Sequence, residues 1–426
     1  MSSSNLTIFS FGELVAHARA QAPFYRRLYV GLPDQPTLQE LPVVNQEEFW
    51  QAHHRDKVEV LTAPLTNGIV LNSGGTTGAP KYSYFNDQEW DSIIALSART
   101  YEAAGLQDGD RVANLFAGGN LYASFIFATE SMKWTRPRLL QLPLGFSPDI
   151  AAAATIIHEF KANVLAGFPT HLLRIIDHLD QAQLTGVHID RIIYGGELVT
   201  KDREAFLQAR FPGIQIRSAG YASVDAGLIG YADAGCQTGE HRVFDEAMIM
   251  EIVDEETWRC IEAPGQPGRI VFTSLIRRLM PLLRYPTGDR AQWVEPIGAT
   301  DRKFRLLGRS EESARVAHYS LGVSEAANLL EPFRQKYGIE QFQLLVTREN
   351  LRDCLVFRLA TNQAVDGLRG AGEEILTAFE LVRPDIYKPA HAGAMHLPRV
   401  EWIQPDRMLT HPRTGKTLRV VDQRND

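Results

Sequence analysis

From Ile69 to about Gly308 the sequence alternates short β-prone runs with longer amphipathic ones, and that rhythm restricts the fold more than any other feature of the chain. Strands are expected at 111–116, 164–166, 191–194, 214–217 and 248–253, and helices at 88–103, 150–161, 170–179 and 201–210. Such alternation argues for an α/β architecture with substantial sheet, because helices cover the sheet faces. Many of the strands end in Gly- or Pro-containing turns, where α/β proteins place their ligands. Ahead of this region a helix at 11–20, a proline-broken linker and a short helix at 46–53 are expected. Beyond Gly308-Arg309 the character changes. Strand-like runs at 341–347 and 354–359, a helix at 365–379 and a strand at 399–403 outline a small α+β domain. A chain of 426 residues is also too long for one ordinary core. The expected division is 1–309 for a large N-terminal α/β domain with multiple sheets and 310–426 for a small C-terminal α+β domain.

The stretch Leu71-Asn-Ser-Gly-Gly-Thr-Thr-Gly-Ala-Pro-Lys81 follows the short apolar run Gly68-Ile-Val-Leu71. Glycines let a backbone approach an anion closely and present several N–H groups to it, and Ser and Thr hydroxyls add donors. Lys81 adds a mobile point charge. Ser73, Gly74, Gly75, Thr76, Thr77, Gly78 and Lys81 are therefore the candidate phosphate-binding set. A P-loop needs Gly and Lys adjacent, whereas Ala79 and Pro80 separate Gly78 from Lys81 here, so that reading fails.

The order S-G-G-T-T-G-x-P-K resembles the phosphate loop of the acyl-adenylate-forming superfamily of acyl-CoA synthetases, adenylation domains and luciferases. Further segments match that pattern in order. Tyr194-Gly-Gly-Glu197 resembles the turn that packs against adenine, which assigns Gly195, Gly196 and Glu197 to the nucleotide. Ala219-Gly-Tyr-Ala-Ser-Val-Asp225 resembles the segment in which an aromatic ring stacks on adenine and a carboxylate holds Mg²⁺, implying Gly220 and Tyr221 for adenine and Asp225 for the metal. Two departures stand out: Val224 replaces a hydroxyl residue, and Asp225 is one methylene shorter than the usual Glu. Leu283-Arg-Tyr-Pro-Thr-Gly-Asp289 implies Asp289 at the ribose hydroxyls. Leu307-Gly-Arg-Ser-Glu-Glu312 resembles the domain hinge, with Arg309 at the ribose or phosphates and Glu311 at the pivot. The tail His411-Pro-Arg-Thr-Gly-Lys-Thr-Leu-Arg419 resembles the ending that supplies the adenylation lysine, here Lys416. Taken singly, these segments also read as plain turns and solvated charges.

Ala22-Pro-Phe-Tyr-Arg26 and Leu41-Pro-Val-Val-Asn-Gln-Glu-Glu-Phe49 resemble the N-terminal signature of the phenylacetate–CoA ligase-like branch, and 346–353 with 415–424 resemble its compact C-terminal domain. The resemblance spans nearly the whole chain. It implies ATP and Mg²⁺ as cofactors, with CoA as the expected thiol, and activation of a small carboxylic acid to acyl-AMP followed by thioester formation. It also implies rotation of the C-terminal domain about Glu311. Some members of this branch act in biosynthesis, so the phenylacetate label does not transfer. Gly118-Gly-Asn-Leu-Tyr-Ala-Ser-Phe125 and Gly167-Phe-Pro169 lie where the family places substrate-contacting aromatics, which makes Tyr122, Phe125 and Phe168 the candidate acyl pocket for an aryl or other flat acid.

Composition excludes several other classes. The net charge of -7 is spread along the sequence and gives no basic footprint for nucleic acid. No apolar run is long enough for a membrane span, and the N-terminus lacks the pattern of a signal peptide. Three widely spaced cysteines, Cys236, Cys260 and Cys354, suit reduced thiols and a cytoplasmic location. Cys236 and His241 alone do not make a zinc site. Two alternatives stay open at this point: transfer of the acyl group to an amine or a separate carrier protein, and a degenerate nucleotide-binding protein without catalysis.

Overall fold

The computed structural model describes residues 6–54, 57–73, 81–146, 149–196, 199, 201–309, 313–363, 368–410 and 417–424. At the centre of the larger domain lies a five-stranded parallel sheet in the order Leu140–Pro143, Arg111–Leu115, Val164–Gly167, Arg191–Tyr194, Gln215–Ser218. Side chains alternate across it with period two. Ala113, Leu115, Leu165 and Ile192 enter one core with the helices Ile150–Glu159, Pro169–Gln181 and Lys201–Arg210. Val112, Val164, Ala166 and Ile193 enter another with Tyr101, Ala128 and Met132 of the helices Asp87–Ala103 and Ser124–Trp134. With both faces covered, the central strands read as continuous apolar runs. Each fully buried Ile or Val contributes roughly 1.5–3 kcal/mol. The strand order reverses between Arg111–Leu115 and Val164–Gly167, and a crevice outside the carboxyl ends of such strands is where open α/β sheets bind ligands.

A second, seven-stranded antiparallel sheet runs Tyr221–Ser223, Gly227–Tyr231, Glu240–Val243, Lys303–Arg309, Tyr285–Trp293, Pro267–Ser274, Met248–Val253. Its apolar face is covered by the N-terminal helices Phe11–Gln21, Pro23–Leu28 and Gln46–Gln51, which contribute Leu14, Tyr25 and Phe49 to one core with Phe272 and Tyr285. The expected proline-broken linker contains the helix Pro23–Leu28, because Pro23 sits at its first turn, where a missing N–H costs nothing. A separate hairpin, Ile69–Ser73 with Lys81–Phe85, flanks the glycine-rich stretch, and Ser73 and Lys81 are cross-strand partners.

The smaller C-terminal domain has its own core. Ala314, Leu330, Leu344, Phe357, Ile375 and Phe379 are among its buried members, all from residue 314 onward. Its four-stranded sheet runs Arg399–Ile403, Arg352–Thr361, Ile339–Glu349, Val420–Asp422. The helices Val323–Tyr337 and Pro384–His391, each with an internal proline, were not expected from sequence. The helix expected at 150–161 stops at Glu159, since Lys161 turns left-handed at φ 51°. Among the described residues no helix is long and apolar enough to cross a membrane.

Candidate active site

The carboxyl edge of the parallel sheet gathers aromatic side chains. Phe168 directly follows the strand Val164–Gly167 and caps the helix Pro169–Gln181. Its ring meets Phe116 edge-on at 5.5 Å, Phe146 at 6.1 Å and Tyr122 at 6.5 Å. Phe125 packs into the same cluster. A Cβ at Gly118 would lie 2.8 Å from the Phe125 Cβ, so glycine is what lets that segment close on the helix carrying Phe125. Buried Asn114 holds the arrangement by donating to the Phe125 carbonyl at 3.1 Å and to the Thr129 hydroxyl at 2.9 Å. The three aromatics expected to line an acyl pocket thus belong to one cluster. Phe116 and Phe146 join them without having been singled out, although each follows a strand end. His171 and His318 also reach Phe146, with ring centroids at 4.4 and 5.8 Å.

Beside this wall lie the candidate nucleotide residues. Gly196 has φ 74°, and a Cβ there would stand 2.6 Å from Phe168 Cε1. Only glycine satisfies both the left-handed backbone and the close approach. Gly220 has φ 110°, with the Gly230 carbonyl 2.8 Å from a Cβ placed on it. The Tyr221 hydroxyl donates to Asp289 Oδ2 at 2.7 Å, and Asp289 pairs across the sheet with Arg309. Three segments far apart in sequence therefore converge, and the Tyr221 ring itself is buried against Phe304. Ser218 lies 2.9 Å from His241 Nε2, and burial lowers the His241 pKa to about 4, so that imidazole stays neutral. A cavity of about 250 Å³ opens beside these residues, lined in part by Tyr194, Ser218, Asp233 and Cys236.

Among the candidate phosphate residues, Lys81 Nζ lies 5.7 Å over the Trp50 ring. Trp50 Nε1 donates to the Tyr285 hydroxyl at 2.8 Å, which donates to Asp225 Oδ2 at 2.9 Å. Burial, then the neighbouring Asp225, pushes the Tyr285 pKa far up, so its proton stays in place for that bond. The Asp225 backbone carbonyl accepts from buried Arg277 at 2.5 Å. Val224 packs against the apolar cluster of Leu71, Phe85 and Phe244, which accounts for an aliphatic side chain there. The Asn72 N–H donates to the Leu121 carbonyl at 2.9 Å and so ties the hairpin beside the glycine-rich stretch to the aromatic wall. Magnesium shared with nucleotide phosphates needs one or two carboxylates rather than a protein cage. Asp225 offers one buried carboxylate, and among the described residues no group of three or more His, Cys, Asp or Glu side chains gathers for a metal. The donor set fits a shared ion. Gly74 to Gly78, Glu197, Glu311 and Lys416, with the side chains of Ser73 and Arg309, lie outside the described residues.

No protein-family model matches the chain. Phenylacetate–coenzyme A ligase of Aromatoleum evansii is 24% identical over 367 residues, covering 83% of this chain and 78% of that protein. Indoleacetate–lysine synthetase of Pseudomonas savastanoi is 27% identical over 376 residues, covering 84% and 85%. A solved 2-hydroxyisobutyryl-CoA ligase, in complex with 2-HIB-AMP and CoA in the thioesterification state, matches with TM-score 0.73 at 21% identity over 97% of this chain and 88% of that one. The same ligase in its postadenylation state matches with TM-score 0.62 at 20% identity, over the same shares.

The fold, with a large N-terminal and a smaller C-terminal domain, is that of the solved 2-hydroxyisobutyryl-CoA ligase. Over most of its length the chain is similar in sequence to phenylacetate–CoA ligases, at 20–24% identity.

Proposed function

We propose that this chain is an AMP-forming acid–thiol ligase: it activates a carboxylic acid, most fittingly an aryl acid, as acyl-AMP and passes the acyl group to CoA. The carboxylate oxygen attacks the α-phosphorus of ATP, and the bond to the bridging oxygen breaks to release pyrophosphate. The thiol sulfur then attacks the acyl carbon, AMP departs with its oxygen, and the thiol proton passes to solvent. The observation that carries this reading is the junction at Gly196 and Phe168, where the glycine-turn side of the site abuts the aromatic wall.

The residues divide the work as follows. Tyr122, Phe125 and Phe168 hold the acid, and Gly195, Gly196, Glu197, Gly220 and Tyr221 hold adenine. Asp289 and Arg309 take the ribose. Ser73 to Gly78 and Lys81 hold the outer phosphates, so catalysis there is mainly positioning and charge neutralisation. Asp225 would hold magnesium, which would offset phosphate charge when bound. Lys416 stabilises the charge developing between carboxylate and α-phosphate. We place the domain boundary at 309/310, with Glu311 as pivot. Three free cysteines support a cytoplasmic setting.

The test is pyrophosphate release from ATP and Mg²⁺ over a panel of aryl and aliphatic acids, with and without CoA. Acid-dependent release with a CoA-dependent thioester is expected, and no release from any acid would overturn the assignment. The 27% identity to indoleacetate–lysine synthetase favours a second reading in which an amine accepts the acyl group. An amide product with lysine, in the absence of a thioester, would establish it.

A further inference from the structure

The seam between the two domains contains a buried charge cluster. Asp353, at the start of the strand Arg352–Thr361, accepts from Arg348 at 2.9 Å and Arg424 at 2.8 Å within its own domain. Across the seam it meets Arg203 of the helix Lys201–Arg210 at 3.3 Å. Both side chains of that crossing pair are 1% exposed. Burial alone would raise the Asp353 carboxyl, but Arg203, Arg424 and Arg348 together hold it below its ordinary pKa.

The cluster also fixes two turns. Arg203 donates to the Leu351 carbonyl at 3.1 Å, and Asn350 and Leu351 both have positive φ. Asp353 Oδ2 accepts the Ala317 N–H at 3.0 Å, and Ala317 is left-handed at φ 49°. Non-glycine residues in that region persist only where surroundings enforce it. The next residue, His318, lies flat on Phe168, with centroids 4.6 Å apart and planes 10° apart. Arg315, on the strand Ser313–Val316 that leads into this turn, donates to the Gly196 carbonyl. The small domain thus backs the aromatic wall of the large one.

The strand Ile339–Glu349 pairs with the Asp353 strand, Arg348 opposite Asp353, and its other end faces elsewhere. Thr417, which directly follows Lys416, donates to Gln341 at the start of Ile339–Glu349. Glu349 lies eight positions beyond Gln341, about 26 Å of strand. The end beside Lys416 and the end bearing Asp353 cannot both adjoin the acyl wall at once. In this structure the Asp353 end does.

We propose that Asp353 and Arg203 are positioning residues for acyl transfer, because together they set His318 against Phe168 so that the small domain completes the acyl pocket only in this arrangement. The inference rests on the ligase reading above.

Arg203→Met tests it without emptying the cluster, since Arg348 and Arg424 still pair Asp353. His318→Ala and His318→Phe test the stacked ring. Acyl-AMP formation is followed by acid-dependent ATP–pyrophosphate exchange, and transfer by single-turnover thioester formation from preformed acyl-AMP. Arg203→Met and His318→Ala should slow transfer about tenfold or more and leave exchange within about twofold, because truncation removes contacts present only in this arrangement. His318→Phe should restore transfer. Equal losses in both halves, or none, would overturn the proposal. A fluorophore pair on Val30→Cys and Leu381→Cys, in a background with Cys236 and Cys260 replaced by serine, reads domain arrangement without any reaction. Arg203→Met should broaden or shift the wild-type distance distribution, and an unchanged distribution sinks the inference. Were the wild type to form no acyl-AMP with any acid, the ligase reading would fail, and the distance measurement would still decide the seam.

Discussion

Two buried arginine–carboxylate clusters in this molecule are built from the same groups but have different mechanical settings. Arg284 grips Glu251 through two bonds of 2.9 and 3.0 Å and the Leu41 carbonyl through a third, all inside the large domain. Arg203 and Asp353 make a comparable contact between domains. A charge pair inside one core is lost only when that core opens. A pair across a seam is lost whenever the domains part, with both cores intact. The first kind therefore contributes to stability, and the second to which arrangement the protein occupies.

The largest expected effect concerns Lys416, the proposed adenylation lysine. Lys416→Ala should cut acyl-AMP formation by about 10²–10³-fold or more while ATP binding is retained, since it removes a charge that acts on the transition state. Pyrophosphate release alongside a nucleotide-binding titration checks this, and an equally active variant would remove Lys416 from the reaction. Next, Arg284→Met should destabilise the large domain by about 3–5 kcal/mol, because it strands a buried carboxylate. Arg203→Met should cost far less in the same denaturation experiment. Equal losses would erase the distinction between the two clusters.

Acid separates the regions further. His241 has its folded pKa depressed to about 4 by burial, so its contribution to stability is present above the unfolded value near 6.5 and is lost as pH falls between them. By pH 5 the loss amounts to about 2 kcal/mol. Asp353, held below the ordinary carboxylate range, keeps its charge through that window and gives way only below it. Denaturation midpoints should therefore fall between pH 7 and 5 while the inter-domain distance stays constant. His241→Gln should flatten the first trend. The smallest effect is expected at Tyr221→Phe, which removes the 2.7 Å bond to Asp289. About 1 kcal/mol, or a fivefold rise in KM for ATP, is the expected outcome.

The two sheets differ just as much in how far their sequences disclose them. Strands such as Arg191–Tyr194 could be read because both faces are covered and the run is apolar. In the antiparallel sheet, Glu240–Val243 and Lys303–Arg309 carry buried or half-buried charges that satisfy one another across strands, as Arg305 does with Glu240 at 2.6 Å. Pairing of that kind has no signature in a single segment. Pro332 and Pro389 concealed the helices that contain them, because the local rule against interior proline was outweighed by burial of Leu330, Ile386 and Tyr387. Tyr122, Phe125 and Phe168 were singled out by the family resemblance of their segments, and the fold gathers them into one cluster. His318 was not, since it arrives from another domain and nothing near it in the sequence points to Phe168.

The wall at the sheet's carboxyl edge also has a consequence for anyone reshaping this pocket. Tyr122 and Phe125 stand together on the segment after Arg111–Leu115, apart from the connection that carries Phe168, so either can be exchanged for a smaller side chain without disturbing the strands beneath. Phe168 is different. It touches a backbone that tolerates only hydrogen on one side and an imidazole from the other domain on the next. A library that varies Phe168 alone would mostly sample broken geometry, whereas one that varies Phe168 and His318 as a pair would explore new substrates.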